Sequence, residues 1–375
     1  MDLPLAPFGE IQTAEKSLLT YISFHYNINT ELATATVANN GTVTQSASAA
    51  LLKTSATSNG SAILRSRLPA RYIAGQGLQI IFSAMFGTGI ASNLQEAGYG
   101  NTEDGLFFEY NGETFGVNRR SKATGEVVNN RKTQAEWSEV LGFEFNPLKL
   151  NIYAIEFQWL GAGEIDFLIE NPHTRNLHTV HRIKYTNSET VASLLNPSLP
   201  IWMRNINSGS VIDTTLKIGN AAAYVFGKKE SVGIRQAYRA GLAYTTGAER
   251  TVLAIENMAD VFGGTGNNRS ILKPTHINWS TDGTKIATLR VKRCTISGGT
   301  AAVINVDTSI AKQYTGTPTV SNTKLLFSIE AAKDDQDTFH IPDDVELAPG
   351  EAIIVTAEST ANSDLAIGIS WKELL

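Results

Sequence analysis

The stretch Leu94–Arg120, LQEAGYGNTEDGLFFEYNGETFGVNRR, divides into a glycine- and acid-rich loop, GYGNTEDG, and a β-hairpin, LFFEYNGETFGVNRR. The loop half fails the common ligand templates on named residues. A phosphate loop needs a lysine after its second glycine, but Leu106 stands there and a hairpin follows instead of a helix. Gly98-x-Gly100 lacks the third glycine of a dinucleotide fingerprint. Read as an EF-hand turning at Gly105, the loop offers Gly100, Thr102 and Asp104 as ligands and Asn111 in place of the bidentate glutamate, too little charge for that motif. What remains is a looser calcium site, with Asn101, Glu103 and Asp104 as its candidates. The hairpin half meets its template. A two-residue turn at Asn111-Gly112 pairs Tyr110 with Glu113, Phe108 with Phe115 and Leu106 with Val117. Leu106, Phe108, Phe115 and Val117 then share the core face. On the reverse face Phe107 lies opposite Gly116, where its ring covers the bare glycine.

Outward from this hairpin the dominant period is two. Asn40-Gly41 and Asn59-Gly60 each sit between alternating runs, a hairpin signal because both turn positions need φ > 0. Further strand-like runs are GLQIIFSAMFG, NIYAIEFQWLG, EIDFLIENP, NLHTVHRIKYT and AAAYVFG. Helix evidence is confined to TAEKSLLTYI near the start and TQAEWSEVLG at Thr133–Gly142. Turn signals recur about every ten residues, the rhythm of an antiparallel sandwich or jelly roll. The text loses its period between Gly227 and Glu249 and then restarts in about eight short runs, with Pro349-Gly350 suited to a type II turn. The expectation is all-β: two antiparallel β-sandwich or jelly-roll domains with very little helix. Residues 1–15 form an extended arm, 16–227 a lectin-like jelly roll, 228–249 a linker and 250–375 a second sandwich. Leu365, Ile367, Ile369 and Trp371 should face the second core.

Composition narrows the function classes. The 375-residue chain carries a net charge of −5 and no cationic run longer than a pair, such as Arg119-Arg120. Nucleic-acid binding is therefore not expected, since phosphate neutralisation needs clustered cations. No apolar run is long enough to span a bilayer, and the N-terminus lacks the pattern of a secretory signal. The single cysteine, Cys294, rules out an intrachain disulfide framework and reads as a buried small side chain.

Three constellations invite chemistry. GAGEIDFLIE (Gly161–Glu170) resembles the catalytic strand of laminarinase-like glycoside hydrolases, but its second glutamate comes one residue late. Glu164 and Glu170 share a face with Cα atoms about 20 Å apart, whereas a retaining pair needs carboxyl groups about 5–5.5 Å apart. His173, His178 and His181 invite a zinc reading, yet strand alternation sends His178 and His181 to opposite faces. GGTGNN (Gly263–Asn268) resembles a single calcium-binding nonapeptide turn, and Asp334, Asp335, Asp337, Asp343 and Asp344 read as a solvated cluster, with a weak calcium site as the alternative. No nucleophile elbow or Ser-His-Asp set is present. No catalytic residue, cofactor or metal is assigned, and the chain is expected not to be an enzyme.

The segments RSRLPARYIAGQGLQIIFSAMF, GYGNTEDGLFFEYNGETFGVNRR and NIYAIEFQWLGAGEIDFLIENPHTRNLHTVHRIKY, followed by NPSLPI, resemble a module of virion-associated structural proteins of tailed phages and large DNA viruses. That module carries G-x-G-N-x-x-D-G-x-F-F-x-Y-N-G-x-x-F-G-V ahead of a W-L-G-x-G-x-I strand. The likeness is fullest over residues 60 to 230 and carries no catalytic residues. It implies a virion structural protein, a capsid decoration or a tail, baseplate or fibre component. Such a protein is made in the host cytoplasm and acts through contacts with its own copies and with other virion proteins. The alternative is a carbohydrate-binding adhesin or receptor-binding protein for a host surface glycan, with Tyr153, Trp159, Glu164 and Asp166 facing the sugar. A laminarinase-like hydrolase is the third option.

Overall fold

The alternating runs become strands. In the computed structural model the described residues are 15–228, 233–244, 247–260, 267–282, 286–305, 309–359 and 363–374. The N-terminal arm thus lies almost wholly outside them. The chain divides into two units, Met1–Glu230 and Ser231–Leu375, and among the described residues the named strands pair antiparallel. Among the described residues the only helix is the 3-10 turn Gln134–Glu136. The Thr133–Gly142 expectation shrinks to this single turn, and the expected early helix is instead a strand from Lys16.

The first unit contains β1 (Lys16–Ser23), β2 (Ala33–Ala38), β3 (Thr42–Ser46), β4 (Ala49–Lys53), β5 (Ser61–Ser66), β6 (Leu78–Met85), β7 (Asn93–Gly100) and β8 (Gly105–Asn111). It continues with β9 (Thr114–Ser121), β10 (Val128–Thr133), β11 (Asn151–Phe157), β12 (Ile165–Glu170), β13 (Leu177–Ile183), β14 (Ile201–Asn207) and β15 (Thr215–Phe226). One sheet runs β13-β12-β11-β6-β15-β4-β3, with β1 added on β15; the other runs β10-β9-β8-β7-β14-β5-β2. This is an antiparallel sandwich of the jelly-roll type, and its inner faces meet in an aromatic core. Phe82 stacks on Tyr153 at 5.4 Å between ring centroids, Phe108 lies 4.8 Å from Tyr153, and Phe86 meets Phe115 edge-on at 5.1 Å.

The hairpin at β8–β9 keeps its expected faces but not its register. Asn111 pairs with Thr114, Tyr110 with Phe115 and Phe108 with Val117. The turn residues are therefore Gly112 and Glu113, with Gly112 in the left-handed region at φ 64°. Each pairing moves by two residues in sum, so Leu106, Phe108, Phe115 and Val117 stay in the core. Phe107 instead covers the opposed pair Gly100 and Gly105: a Cβ on either would fall 2.4 or 2.1 Å from its ring. Both Asn-Gly dipeptides also turn out differently. β2 and β3 belong to different sheets, as do β4 and β5, so Asn40-Gly41 and Asn59-Gly60 are sheet-to-sheet corners and not hairpins. The corners are tight, since a Cβ on Gly41 would lie 2.0 Å from the Ser61 carbonyl oxygen and one on Gly60 1.9 Å from that of Thr54.

The second unit contains β16 (Ile234–Tyr244), β17 (Arg250–Asn257), β18 (Ile271–Thr281), β19 (Ala287–Val303), β20 (Ala311–Ala331), β21 (Gln336–His340), β22 (Ala352–Ser359) and β23 (Ser363–Leu374). A four-stranded sheet, β16-β23-β18-β21, and a closed barrel, β17-β20-β19-β22, share one core that joins Ile277, Ile367 and Trp371 to Leu253, Leu289 and Val355. Leu365, Ile367, Ile369 and Trp371 are buried as expected. Gly350 has φ 84° and Glu351 donates to the Ala348 carbonyl at 3.0 Å, the turn expected at Pro349-Gly350. The linker expectation is corrected: half of residues 228–249, Ile234–Tyr244, form β16, which pairs with β23 along its whole length. Its glycines and arginines hide the period because only one of its faces is covered.

Candidate functional site

The residues singled out from sequence do not converge. Alternation along β11 turns Tyr153 into the core, wholly buried, so it cannot meet a sugar. Trp159 follows β11 and packs edge-on against Tyr72 at 5.8 Å. Asp166 points outward from β12, opposite Glu156 on β11 and Arg182 on β13. Arg182 donates to it at 2.7 and 3.3 Å and also pairs with Glu164 at 2.9 Å. Burial, and then the Asp166 charge, push the Glu164 carboxyl above its ordinary range. Tyr153 and the Glu164–Asp166 pair therefore lie on opposite faces of one sheet.

The loop of the opening stretch is occupied by its own chain. Asn101 Oδ1 accepts from the backbone N–H of Glu103 and of Asp104, both at 2.8 Å. Asp104, wholly buried, accepts from Leu195 N–H at 2.9 Å and Lys122 N–H at 3.2 Å. Glu103 pairs with the Lys122 ammonium at 2.7 Å. The oxygens proposed for calcium thus serve to pin the loop. Among the described residues no group of three or more His, Cys, Asp or Glu side chains could hold a metal ion.

The histidine reading is corrected by a β-bulge. Phe167 pairs with His181 but Leu168 with Thr179 and Ile169 with His178, so the extra residue returns both imidazoles to one face. His181 Nδ1 accepts from Ser138 N–H at 3.2 Å, and His178 Nε2 lies 3.3 Å from the Val140 carbonyl oxygen. They anchor the segment after the 3-10 turn. Of the GGTGNN turn, only Asn267 and Asn268 fall within the described residues. Asn268 is buried and donates to Asn257 Oδ1 at 2.7 Å.

Two constellations went unseen in the sequence. The first lies on the outward face of the seven-stranded sheet, where Glu96 on β7 stands directly opposite Glu109 on β8. Arg120 grips Glu96 with both Nη atoms at 3.2 and 2.7 Å; Arg204 Nε is 3.0 Å away and Trp202 Nε1 donates at 2.7 Å. Arg120 also lies 4.7 Å over the Phe107 ring and donates to the Asn101 carbonyl at 2.8 Å, which ties the loop to the sheet. Glu109 accepts from Arg131 at 2.6 Å and Asn118 at 3.0 Å. Burial alone would raise the Glu96 carboxyl, but Arg204 and Arg120 outweigh it and hold the group below the ordinary range. Burial, and then the Glu96 charge beside it, push Glu109 the other way. The two carboxyls of the pair are thus pushed in opposite directions by their surroundings. Both are shut from solvent.

The second constellation is open. On the outward face of the four-stranded sheet, Arg239, Gly368, Asn278 and Thr338 form one cross-strand row, and Ala237, Ser370, His276 and His340 form the next. Cavities of about 460 and 660 Å³ follow these rows, making a trough along β23. Its floor is small: Ala366, Gly368 and Ser370. A Cβ on Gly368 would lie 2.1 Å from Asn278 Oδ1, so glycine is what lets that amide lie across the strand. His276 and His340 face each other at 4.3 Å between ring centroids.

No family model and no curated protein matches the chain. Solved structures similar to it include one of the endo-acting O-glycanases of human gut bacteria that initiate mucin breakdown, at 12% identity and TM-score 0.40, covering 56% of this chain and all of that one. Another is the catalytic domain of an endo-1,3-β-glucanase (laminarinase) from Thermotoga petrophila, at 13% and 0.39, covering 56% and 98%. A third is arcelin-5, a lectin-like defense protein from Phaseolus vulgaris, at 9% and 0.37, covering 56% and 99%. Scores this low make no case for a shared reaction or ligand. The expectation that the chain is not an enzyme, drawn from the lack of an ordered catalytic constellation and from the resemblance, is corrected to this extent: the structures matched include glycan hydrolases, and the expectation is carried no further. None of those named here is a virion protein.

Proposed function

We propose that the protein is a glycan-binding β-sandwich protein that seats a short stretch of sugar in the trough along β23. The observation that carries this reading is the trough itself: an open polar channel on a sheet face, with a floor of small residues. Sugar hydroxyls each donate and accept, so they are matched by planar polar side chains held in fixed geometry. Arg239, Asn278 and Gln336 supply these at one end; Arg235, His276 and His340 supply them at the other. Binding to a glycan array tests the reading. Asn278→Ala, which removes an exposed amide without opening the core, should weaken binding roughly tenfold, the loss of about one good hydrogen bond. An array without a single binder for the wild type would end it. The virion setting implied by the sequence resemblance suits such a protein, because copies displayed on a particle gain avidity for a host surface. Co-purification with intact particles tests that setting.

One observation favours a second reading, glycoside hydrolysis. Glu96 and Glu109 stand directly opposite on neighbouring strands, one carboxyl held below the ordinary range and the other pushed above it, and an acid and a base are drawn from two carboxyls whose surroundings differ in this way. Substrate could reach them only if Arg131 and Arg204 swung aside. Reducing-sugar release from soluble β-glucans by wild type, lost in Glu109→Gln, would support it; an inert wild type would remove it.

A further inference from the structure

We infer that the trough along β23 selects glycans bearing an acidic group, a carboxylate or a sulfate ester, at its Arg235 end. The inference rests on the glycan-binding reading and adds the ligand's charge. The chain as a whole is acidic, with a formal net charge of −5, yet the larger cavity gathers Arg235 and Lys372, which face each other across β16 and β23, together with His276 and His340. Its acid, Asp343, pairs with Lys273 at 2.9 Å, and the cation of this end without an ion-pair partner among the described residues is Arg235. Arg235 and Arg239 lie on one exposed face of β16, four residues and thus about 13 Å apart, with only Ala237 between them on that face. Neither has an ion-pair partner among the described residues. A guanidinium left unpaired beside a cavity offers a planar fork for an oxyanion.

The smaller cavity holds one cation, Arg239, among the neutral side chains of Asn278, Gln336 and Thr338. The trough is therefore more cationic at its Arg235 end, and a ligand that is acidic at one residue and neutral at the next would lie along it in one direction.

The test measures affinity of the full chain for three sets of oligosaccharides of equal length: oligogalacturonate (carboxylate only), carrageenan oligosaccharide (sulfate ester only) and neutral cello-oligosaccharide, with single-stranded DNA as a polyanion without sugar-ring hydroxyl patterning. The expected result is binding of the carboxylated set, the sulfated set or both, at least tenfold tighter than the neutral set and than DNA. The two acidic arms show which oxyanion is preferred. Arg235→Ala with Arg239→Ala should abolish the preference; both side chains are exposed, so circular dichroism and Tm should be unchanged. Neutral glycans bound as tightly as acidic ones would overturn the inference and leave the glycan reading standing. No glycan binding at all would sink both, and DNA bound as tightly as acidic glycan would overturn the inference in favour of plain polyanion attraction.

Discussion

Cys294 is buried, and burial followed by the nearby Glu256 charge pushes its thiol up to about 11. At pH 8 the folded protein should resist a thiol-specific reagent, and guanidinium should release one reactive thiol per chain. His181 makes a second residue-scale case. Burial, then the Lys132 charge, hold its imidazole below the ordinary range. The unfolded chain therefore takes up this proton first as pH falls. The stability it contributes is complete above the ordinary histidine value and is lost as pH falls from there through the folded value. The Tm of the wild type should drop more between pH 7.5 and pH 5 than that of His181→Gln. Glu96 gives a third case: removing it strands Arg120 and Arg204 against a closed face, so Glu96→Ala should cost about 3–5 kcal/mol in urea unfolding. The buried state of Cys294 could be read from its strand context. The role of Glu96 could not, because its partners Arg120, Trp202 and Arg204 are up to 108 residues away.

At the scale of elements, the period of two located nearly every strand, while turn chemistry misplaced their partners. Asn-Gly reports a need for positive φ. It does not say whether the chain turns back within a sheet or crosses to the facing one: at Asn40-Gly41 and Asn59-Gly60 it crosses, at Asn111-Gly112 it turns back. The β13 bulge is equally silent in sequence, since one extra residue reverses every face assignment beyond it. The β7–β8 hairpin shows the converse, a legible principle applied to the wrong glycine. Phe107 does cover bare backbone, but at Gly100 and Gly105 rather than Gly116. Gly105→Ala should force the ring off this pair and disturb Arg120 above it, costing about 1–3 kcal/mol by overpacking. Gly112→Ala, in open space at the turn, meets no neighbouring atom and costs only the strain of its left-handed φ. The two Tm shifts, measured side by side, should rank in that order.

At the scale of the molecule, composition and turn spacing were enough for an all-β chain in two parts. The junction falls at 230/231, inside the expected span, but the linker was read as too long because β16, covered on one face, hides its period. The trough was invisible for the same reason: its rows join β16, β18, β21 and β23, whose residues are spread over more than a hundred positions. The first unit has its own core, distinct from that of the second. A fragment ending at Lys228 should therefore unfold cooperatively by itself; a non-cooperative melt would mean that its sandwich needs the rest of the chain.

The pairing of β1 with β15 also sets a timetable for the newborn chain. Lys16 pairs with Phe226, so the first strand must wait for about 210 further residues, or roughly 10–40 s of synthesis at ordinary ribosomal rates. Throughout that interval Leu18, Leu19 and Ile22 have no sheet to join. Chaperone capture of this segment, and a gain in yield when translation is slowed or the temperature lowered, would be the practical signs of so late a closure.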